Sequence, residues 1–453
     1  MFFCNEKPIK TVGFFGLGKS NLGVMSYLKG LDEGLKFILR SEKDADFSPS
    51  DFERVYLKEN ALSDIREDIL FLSPSVRRDR AELTHAESRG VILFSDAELF
   101  FSGARSDIYA VTGSDGKSTT TYLTSRLLSS AYQRVYAIGN IGEAMSPHLD
   151  DGKDVGHVIE LSSFQLSYMK PKTKRAVITN VTENHLNWHK SFREYIDAKK
   201  NILYGADERI INFDCPITRE ISKSFDIFAV FSKELCERDL RSRVSAKLYI
   251  TLSDGIIHAS GEPMLDTRKI RARGEHNILN FMSAIAMSYG VADKKDISAL
   301  AEDFTGLRHR CELIHEADGV RYYDSSIDSS PNRCVKTLSA FRERVILILG
   351  GKSKGLDFSE LLPALKEKAK KIVLTGECLG EILEALERDS EFSSLGIPVY
   401  KLPDFTLAVE CAKKIAERGD SVLLSPSATS YDSFHNFEER GDRFAKIIKE
   451  ITK

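Results

Sequence analysis

Short strand-forming runs alternate with helical stretches along the chain, and this alternation restricts the possible folds more than any other feature of the sequence. Parallel strands need a helix-length crossover between them, so the pattern predicts parallel α/β sheets. One segment departs from it, because KLYITLSDGIIHA contains turn residues at Ser253-Asp254-Gly255 and predicts an antiparallel hairpin. The strand-forming runs are TVGFFGLG, LKFILR, DILFLSPS and GVILFSDAELF in a first group; DIYAVTG, VIELSS, RAVITNV and RIINF in a second; and GVRYYDSS, RVILILGG, KIVLTGE, PVYKL and SVLLSPS in a third.

Three groups of strands agree with the length of the chain. At ~150 residues per domain, 453 residues predict about three domains. We expect boundaries near residues 106 and 306, where a new strand begins after a helical stretch or a turn. The predicted fold class is therefore α/β, with three consecutive domains at residues 1–106, 107–306 and 307–453.

Composition excludes several classes of function. The 64 Lys and Arg residues against 67 Asp and Glu residues give a net charge of −3, and no basic stripe predicts nucleic-acid binding. No apolar run is long enough to span a membrane, and MFFCNEKPIK lacks the features of a signal peptide. The seven cysteines are scattered without a CxxC pair, which favours reduced thiols. These features predict a cytoplasmic enzyme that binds neither nucleic acid nor membrane.

A glycine-rich loop follows the strand DIYAV and opens the helical stretch TTTYLTSRLLSS. Backbone N–H groups at such a helix start can bind phosphate oxygens, Lys117 adds a positive charge, and Ser118 can hold Mg²⁺. The common GxxxxGK[ST] spacing would place a glycine at position 111, but Val111 stands there. An ordinary glycine turn at a helix start is the alternative. The predicted phosphate contacts are Gly113, Ser114, Asp115, Gly116, Lys117, Ser118 and Thr119.

Two later strands end in residues that can bind metal. Glu160 ends the strand in VIELSS, and His185 follows the strand in ITNVTENHLNW. Ligands of open α/β sheets gather at the carboxyl ends of strands, so both should lie near the phosphate loop. A carboxylate with Ser118 suits Mg²⁺ bound to ATP. The placement of Glu160 and His185 after consecutive strands predicts a two-metal phosphoryl-transfer site. A capping carboxylate and a structural histidine are the alternatives for Glu160 and His185.

The first strand leads into a second glycine loop with Gly13, Gly16 and Gly18. A dinucleotide fingerprint would have its third glycine at position 21, where Asn21 stands. The next strand ends in Arg40-Ser41 rather than in the acidic residue that binds a ribose hydroxyl. The pattern therefore disfavours NAD, although backbone N–H groups and Ser20 can still hold a diphosphate.

Segments throughout the chain resemble the Mur ligase family of peptidoglycan synthesis, and ELSSFQL with the SYDSFHNFEERG block resembles its D-glutamate-adding branch most. The resemblance implies a Rossmann-like first domain, a P-loop-type ATPase domain with a mainly parallel sheet, and a Rossmann-like third domain. The matching segments are TGSDGKST (112–119), GNIG (139–142), ELSSFQL (160–166), NVTENH (180–185), DAKKN (197–201), GEHNILN (274–280), LRHRCE (307–312), GGKSKGLDF (350–358) and SPSATSYDSFHNFEERG (425–441).

The resemblance also implies a reaction. ATP would phosphorylate the carboxylate of UDP-N-acetylmuramoyl-L-alanine, and the amine of D-glutamate would attack the acyl phosphate. Lys117 would neutralise the γ-phosphoryl group, Ser118 and Glu160 would hold one Mg²⁺, and His185 would hold a second with a carbamylated Lys199. A solvated helix lysine is the alternative for Lys199. Domain closure would assemble the site.

Further contacts follow from the same resemblance. Arg40 is a further candidate contact on the uridine side of the substrate. The implied contacts are Asn277, His309, Arg310 and Asp324 for ATP; Gly18, Ser20, Ser41, Ser73, Asn140 and His185 for the UDP-linked substrate; and Ser329, Lys354, Ser430 and Phe437 for D-glutamate. Loop hydroxyls without a binding role are the alternative for the serines.

Two segments depart from the family pattern. The family's Asn-Asp-Ser-Lys-Ala-Thr-Asn segment corresponds to 323–330, where Ser325 replaces its Asp and Ile327 its Lys. Asp324 can take the Asp role by a shift of one residue. Asn184 and Asn187 stand where acidic residues are common.

Three alternatives remain open from the sequence: a Mur ligase with another acceptor amino acid, a folylpolyglutamate synthase, and a UDP-sugar-binding oxidoreductase or sensor. The long domain before the phosphate loop disfavours the folylpolyglutamate synthase, which would resemble only the later two domains. We expect a monomer.

Overall fold

The alternation of strands and helices folds into mostly parallel sheets, which confirms the predicted α/β class. The computed structural model describes residues 2–4, 7–43, 47–353 and 355–452. The chain divides into two units, Met1–Leu265 with Leu279–Ile297 and Asp266–Ile278 with Ser298–Lys453. The division into three domains stays a prediction. Among the described residues, no helix has both the length and the apolar character needed to span a membrane.

The first sheet of the first unit has five parallel strands in the order β5-β4-β3-β6-β7, and a short antiparallel pair, β1-β2, precedes it. Its core is aromatic, because Phe14 on β3 contacts Phe37 and Phe71 on the two neighbouring strands at ring-centroid distances of 5.7 and 5.8 Å. The elements are β1 (Phe2–Cys4), β2 (Lys7–Ile9), β3 (Thr11–Phe15), α1 (Lys19–Leu31), β4 (Lys36–Ser41), β5 (Arg54–Leu57), β6 (Ile69–Leu72), α2 (Ala81–Ser88), β7 (Ile92–Phe94) and α3 (Asp96–Gly103).

The second sheet of this unit has nine strands in the order β16-β15-β14-β13-β12-β11-β8-β10-β9. The predicted hairpin is confirmed, because β14 and β15 pair antiparallel and both Asp254 and Gly255 have the positive φ of a tight hairpin turn. The elements are β8 (Asp107–Thr112), α4 (Lys117–Leu127), β9 (Arg134–Gly139), β10 (Val155–Glu160), α5 (Ser163–Leu166), β11 (Thr173–Ile178), α6 (Phe192–Tyr204), β12 (Ala206–Asn212), α7 (Pro216–Ser222), β13 (Ile227–Ser232), α8 (Glu237–Arg241), β14 (Ala246–Ser253), β15 (Ile256–Ala259) and β16 (Glu262–Asp266), followed by α9 (His276–Met287) and α10 (Lys294–Asp303).

The second unit contains a six-stranded sheet in the order β17-β18-β22-β19-β20-β21, in which only the edge strand β17 is antiparallel to its neighbour. Helices cover both faces, so every residue of the central strand β19 is buried. The elements are β17 (Glu312–Ala317), β18 (Val320–Asp324), α11 (Pro331–Leu338), β19 (Val345–Gly350), α12 (Leu362–Lys368), β20 (Ala369–Thr375), α13 (Leu379–Arg388), α14 (Ser390–Ser394), β21 (Val399–Lys401), α15 (Phe405–Lys414), β22 (Ser421–Leu424) and α16 (Phe437–Ile451).

The order of the strands determines where ligands can bind. In the first sheet the chain leaves β3 for β4 on one side and returns to β6 on the other, and in the second sheet β8 lies between β10 and β11. Such reversals open a crevice at the carboxyl ends of the strands. The glycine loop after β3 and the phosphate loop after β8 both begin at such a crevice.

Candidate active site

The phosphate loop connects β8 to α4 and depends on two glycines. Gly116 has a φ of +78° and is the N-cap of α4. A Cβ on Gly113 would lie 1.9 Å from Thr179 Oγ1, and a Cβ on Gly116 would lie 2.4 Å from Asn280 Oδ1. Both positions therefore require glycine so that the backbone can approach β11 and α9. The first-turn N–H groups of α4 then point out of the helix, as phosphate binding needs.

Ser118 and Glu160 meet directly at the end of the central strands. The Ser118 hydroxyl donates to Glu160 Oε2 at 2.6 Å, and both residues are buried. The Asn140 side-chain amide donates to the other carboxylate oxygen, Oε1, at 2.8 Å. Asn140, predicted as a substrate contact, thus lies beside the predicted metal ligands. Hydroxyl and carboxylate oxygens form the donor set that Mg²⁺ prefers.

Lys199 lies inside the protein and faces the phosphate loop. Its side chain is 2 % exposed, and its amine donates to the carbonyl of Gly113 at 2.7 Å. Burial, and then the nearby ammonium of Lys117, hold the pKa of Lys199 well below its ordinary value. The solvated lysine that the sequence left as an alternative is therefore wrong. A buried lysine with a strongly lowered pKa is typical of a functional site.

Two further predicted residues surround this lysine. Lys117 donates from Nζ to the carbonyl of Ser114 at 2.9 Å. His185 follows β11 with a φ of +56°, and its ring packs edge-on against Phe164. Partial burial of the ring, and then the charges of Lys117 and Lys199, lower the pKa of His185. The structure therefore brings Lys117, Lys199 and His185 within electrostatic reach of one another.

Sequence reasoning missed two residues that hold the loop in place. Asn180, just after β11, accepts from the backbone N–H of Asp115 at 2.9 Å and donates to its carbonyl at 3.0 Å. The hydroxyl of Tyr195 lies 2.8 Å from Ser114 Oγ. Tyr195 precedes Lys199 by four residues on α6, and this helical spacing was the available signal.

The glycine loop of the first sheet is held by Asn21. This side chain is fully buried, and its amide donates to the carbonyls of Phe15, Gly16 and Phe71. Gly16 has a φ of +82°, and a Cβ there would lie 2.6 Å from Ser73 Oγ. The predicted loop and the predicted Ser73 therefore meet at the crevice beside β3 and β6.

The other predicted contacts of the first sheet occupy different positions. Gly18 is the N-cap of α1, and Ser20 is half-buried in its first turn. Ser41 ends β4 and is buried, with its hydroxyl donating to the carbonyl of Lys43 at 2.7 Å. Their contacts with a substrate stay predictions.

Arg40 is not a substrate contact, and this interpretation is wrong. Its side chain is 1 % exposed and donates to Glu67 at 2.6 Å and to the backbone carbonyls of Ala61, Ser63 and Asp64. The guanidinium therefore fixes the segment after β5. The strand end that the sequence offered for ligand binding is used for an internal ion pair.

Replacing Arg40 with methionine should lower the free energy of unfolding by about 3–5 kcal/mol, because Glu67 would stay buried without its partner. Urea unfolding measures the change. The double variant Arg40→Met, Glu67→Leu should recover most of the loss. Lys29→Met is the control, since its pair with Asp51 is exposed and should contribute less than about 1 kcal/mol. A loss in Arg40→Met as small as that of the control would contradict this account.

In the second unit, His309 and Asp324 form a buried pair. His309 Nδ1 lies 2.7 Å from Asp324 Oδ2. Burial by itself would lower the pKa of His309, but the hydrogen bond and charge of Asp324 outweigh it and raise the pKa. Gly441 on α16 allows this pairing, because a Cβ there would lie 2.1 Å from His309 Nδ1. A cavity of about 530 Å³ opens beside the pair.

The departure from the family pattern at 323–330 has a structural outcome. Asp324 faces His309, whereas the Ser325 hydroxyl accepts from the backbone N–H of Cys311 at 3.2 Å. This favours the one-residue shift that gives Asp324 the family's Asp role. Ile327 is half-buried and provides no cation in place of the family's Lys.

The remaining predicted residues of the second unit are more scattered. Asn277 is buried and donates to the carbonyl of Arg273 at 2.6 Å, whereas Arg310 is exposed. Ser430 is buried and Ser329 half-buried. Lys354 lies outside the described residues.

Arg440, which sequence reasoning missed, connects the loops that carry the predicted D-glutamate contacts. It is buried and donates to Ser326 and to the carbonyl of Ala428. Ser326 in turn donates to the carbonyl of Phe437 at 2.8 Å. These bonds bring together the segment after β18, the segment after β22 and the start of α16. Arg440 lies in the segment 425–441 that resembles the family, but nothing in a charged run such as FEERG indicates that its arginine is buried.

Comparison with known proteins identifies the family. The family described as "Mur ligase middle domain" matches residues 111–288, and "Mur ligase, glutamate ligase domain" matches residues 309–428. The UDP-N-acetylmuramoylalanine–D-glutamate ligase of Acetivibrio thermocellus is 37 % identical over 98 % of this chain and 97 % of its own length. The ligase of the same name from Clostridium perfringens is 35 % identical over the same shares.

Solved structures agree in fold. The UDP-N-acetylmuramate-alanine ligase of Thermotoga maritima has a TM-score of 0.57 at 17 % identity and covers 98 % of this chain and 100 % of its own. A pseudomurein peptide ligase from Methanothermus fervidus covers the same shares with a TM-score of 0.54, also at 17 % identity. The near full-length relatives and the two matching family domains show that the protein belongs to the Mur ligase family.

Proposed function

We propose that the protein is the ATP-dependent ligase that joins D-glutamate to UDP-N-acetylmuramoyl-L-alanine in peptidoglycan precursor synthesis. One observation carries the proposal: the phosphate loop, the Ser118–Glu160 pair and the buried amine of Lys199 converge at the carboxyl ends of β8 and β10. The names of relatives aligned over almost the whole chain support the choice of acceptor.

The first chemical step is transfer of the γ-phosphoryl group. A carboxylate oxygen of the UDP-linked substrate forms a bond to phosphorus, and the bond from phosphorus to ADP breaks. Because charge spreads over the transferring group, preorganised positive groups stabilise it most. The first-turn N–H groups of α4 and the ammonium of Lys117 supply them here.

Two Mg²⁺ positions fit the residues present. Ser118 and Glu160 would hold one ion, and His185 the second with Lys199 in carbamylated form. Bound Mg²⁺ would neutralise phosphate charge during the transfer. The fit rests on the donor chemistry of the paired hydroxyl and carboxylate.

Carbamylation of Lys199 fits its surroundings. CO₂ reacts only with a neutral amine, and burial favours the neutral form of this side chain. The product is a carboxylate on the same lysine, and its negative charge would lie near Lys117. The family resemblance suggested the modification, and the burial of Lys199 supplies the physical reason.

In the second step the D-glutamate amine attacks the acyl phosphate. The new C–N bond forms, the C–O bond to phosphate breaks, and the amine loses a proton. We assign residues 1–106 to the UDP group, 107–306 to ATP and 307–453 to D-glutamate, with Ser329, Lys354, Ser430 and Phe437 as contacts. We place this ATP-consuming reaction in the cytoplasm, and a monomer suffices because one chain carries all of these contacts.

An acceptor panel tests the proposed function. Full-length protein with ATP, Mg²⁺ and UDP-N-acetylmuramoyl-L-alanine should release phosphate with D-glutamate and at least about 100-fold less with L-glutamate, because a site built around placed polar groups discriminates strongly. Equal phosphate release with D-alanine, L-lysine or diaminopimelate would refute the acceptor. Release with a folate and L-glutamate would favour a folylpolyglutamate synthase. No observation favours an oxidoreductase, since Asn21 and Arg40 occupy the positions that NAD binding needs.

A further inference from the structure

Three side chains that the proposed reaction does not use converge beside β10. His148 ends the 3₁₀ turn Ser146–His148, Asp151 follows it, and His157 lies on β10. His148 Nδ1 and His157 Nε2 lie 3.1 and 3.0 Å from the same oxygen, Asp151 Oδ2. In the part of the chain that the structure describes, this is the one group of three His, Cys, Asp or Glu residues whose ligand atoms all lie within 4.8 Å of one another.

This cluster is separate from the phosphate site. His157 precedes Glu160 by three residues, which is about 10 Å along a strand. Side chains alternate between the faces of a sheet, so His157 and Glu160 point to opposite faces. The cluster therefore belongs to another part of the molecule.

The outer nitrogen of each imidazole also has a partner. His157 Nδ1 lies 2.7 Å from Ser106 Oγ, and His148 Nε2 lies 3.3 Å from Glu143 Oε2. Metal-binding histidines nearly always bond through their second nitrogen in this way, which fixes the ring and its tautomer. The ring of Tyr136 packs against both imidazoles at centroid distances of 4.3 and 5.7 Å. The rings are thus held with one nitrogen each directed at Asp151.

The spacing of the inner atoms suits a tetrahedral ion. Zn²⁺ binds histidine nitrogen and carboxylate oxygen at about 2.0–2.2 Å, which places neighbouring ligand atoms about 3.3 Å apart in a tetrahedron. The two separations from Asp151 Oδ2 are close to this value. His157 is fully buried and His148 nearly so, while the Asp151 side chain is 28 % exposed, which leaves one side open for water as a fourth ligand.

We propose that His148, Asp151 and His157 form a binding site for a divalent transition-metal ion, with Zn²⁺ as the best match. Two imidazoles favour zinc over magnesium, which prefers oxygen ligands.

The site would have a structural role in joining the two sheets of the first unit. The segment just before it packs against the first sheet's helices: Asp96 on α3 accepts from the N–H groups of Met145 and Ser146, and a Cβ on Gly23 of α1 would lie 2.4 Å from Ala144. A metal bound to His148 and Asp151 would fasten this segment to β10. We therefore expect the ion to raise thermal stability without taking part in the ligase reaction.

Zinc titration of the metal-stripped full-length protein in excess Mg²⁺ tests the proposal. We expect one tightly bound Zn²⁺ per chain and a higher melting temperature. Ser106→Ala should weaken binding about 10- to 100-fold through the loss of the outer partner of His157, and Asp151→Asn should weaken it further. The exposed His85→Gln is the matched control and should bind as the unchanged protein does.

Two results would overturn the proposal. The first is Zn²⁺ binding by Asp151→Asn with the affinity of the wild-type protein. The second is Zn²⁺ binding that is lost in His185→Gln but kept in Asp151→Asn, because this result would place the ion at the phosphate site. If Asp151→Asn fails to fold, the visible absorption of Co²⁺ bound to the wild-type protein tests the proposal instead. We expect the intense visible absorption that is typical of tetrahedral Co²⁺. It should persist in excess Mg²⁺ and disappear when Zn²⁺ displaces the Co²⁺. Absence of this absorption would contradict the site.

Discussion

Replacement of Lys117 with alanine is expected to lower kcat by about 100- to 1,000-fold, because the transferring phosphoryl group loses a fixed positive charge. Lys117 lies at the start of α4 with its ammonium near the carbonyl of Ser114. We expect the loss in kcat more than in the KM for ATP, because a charge that neutralises the transferring phosphoryl group acts most strongly in the transition state. Phosphate release at saturating substrate concentrations gives kcat, and the ATP dependence gives KM.

Lys200→Ala is the matched control for this variant. Lys200 is half-buried on α6, and its ammonium lies 5.5 Å from the centroid of the Phe225 ring. Its removal should leave kcat nearly unchanged. A Lys117→Ala protein with the kcat of this control would remove the phosphate loop from the mechanism.

Lys199→Ala and Lys199→Arg should both lose activity by at least about 100-fold, out of proportion to any loss of stability. Arginine keeps a positive charge but cannot form the carbamate. The unchanged protein, equilibrated with ¹³C-labelled bicarbonate, should show a carbamate carbon resonance, and Lys199→Arg should not. Lys200→Ala should keep both the resonance and the activity.

The pH dependence of this modification follows from the lowered pKa. A lysine with a folded-state pKa below its ordinary value keeps a neutral amine at lower pH than a solvated lysine does. The resonance should therefore persist at neutral pH, where a solvated lysine is almost fully protonated. Full activity in Lys199→Arg, or a resonance that survives in it, would refute the carbamate.

The fold followed from the sequence because its signals are local. Each strand-forming run and the hairpin at Asp254-Gly255 depend on nearby residues, and the structure contains all of them. The order of the strands in the sheet could not be predicted from such local signals. β8 lies between β10 and β11, and it pairs with strands that are far from it in the sequence. The convergence of the loops that follow β8, β10 and β11 was predicted from the general rule that ligands of α/β sheets bind at the carboxyl ends of the strands, and not from any single residue.

The site was predictable where one residue type is chemically necessary. Gly116, Lys117, Ser118 and Glu160 were predicted in that way. The structure places the first three at the start of α4 and Ser118 beside Glu160, and their roles stay predictions. The side chains that support them were not found. Asn180 and Arg440 act through contacts that no spacing reveals, and the helical spacing of Tyr195 from Lys199 does not by itself indicate a contact with Ser114. Arg40 was misinterpreted for the same reason, since its partner Glu67 lies 27 residues away.

Asn21 has a consequence for protein engineering. Converting the first glycine loop to a nicotinamide-binding fingerprint would need Asn21→Gly and an acidic residue near the end of β4. The first change would remove the donor to three backbone carbonyls. A substitution at Arg40 would leave the buried carboxylate of Glu67 without the guanidinium that pairs with it. Redesign of cofactor preference would therefore have to begin by rebuilding the interior of the first sheet, before any residue that touches the ligand is altered.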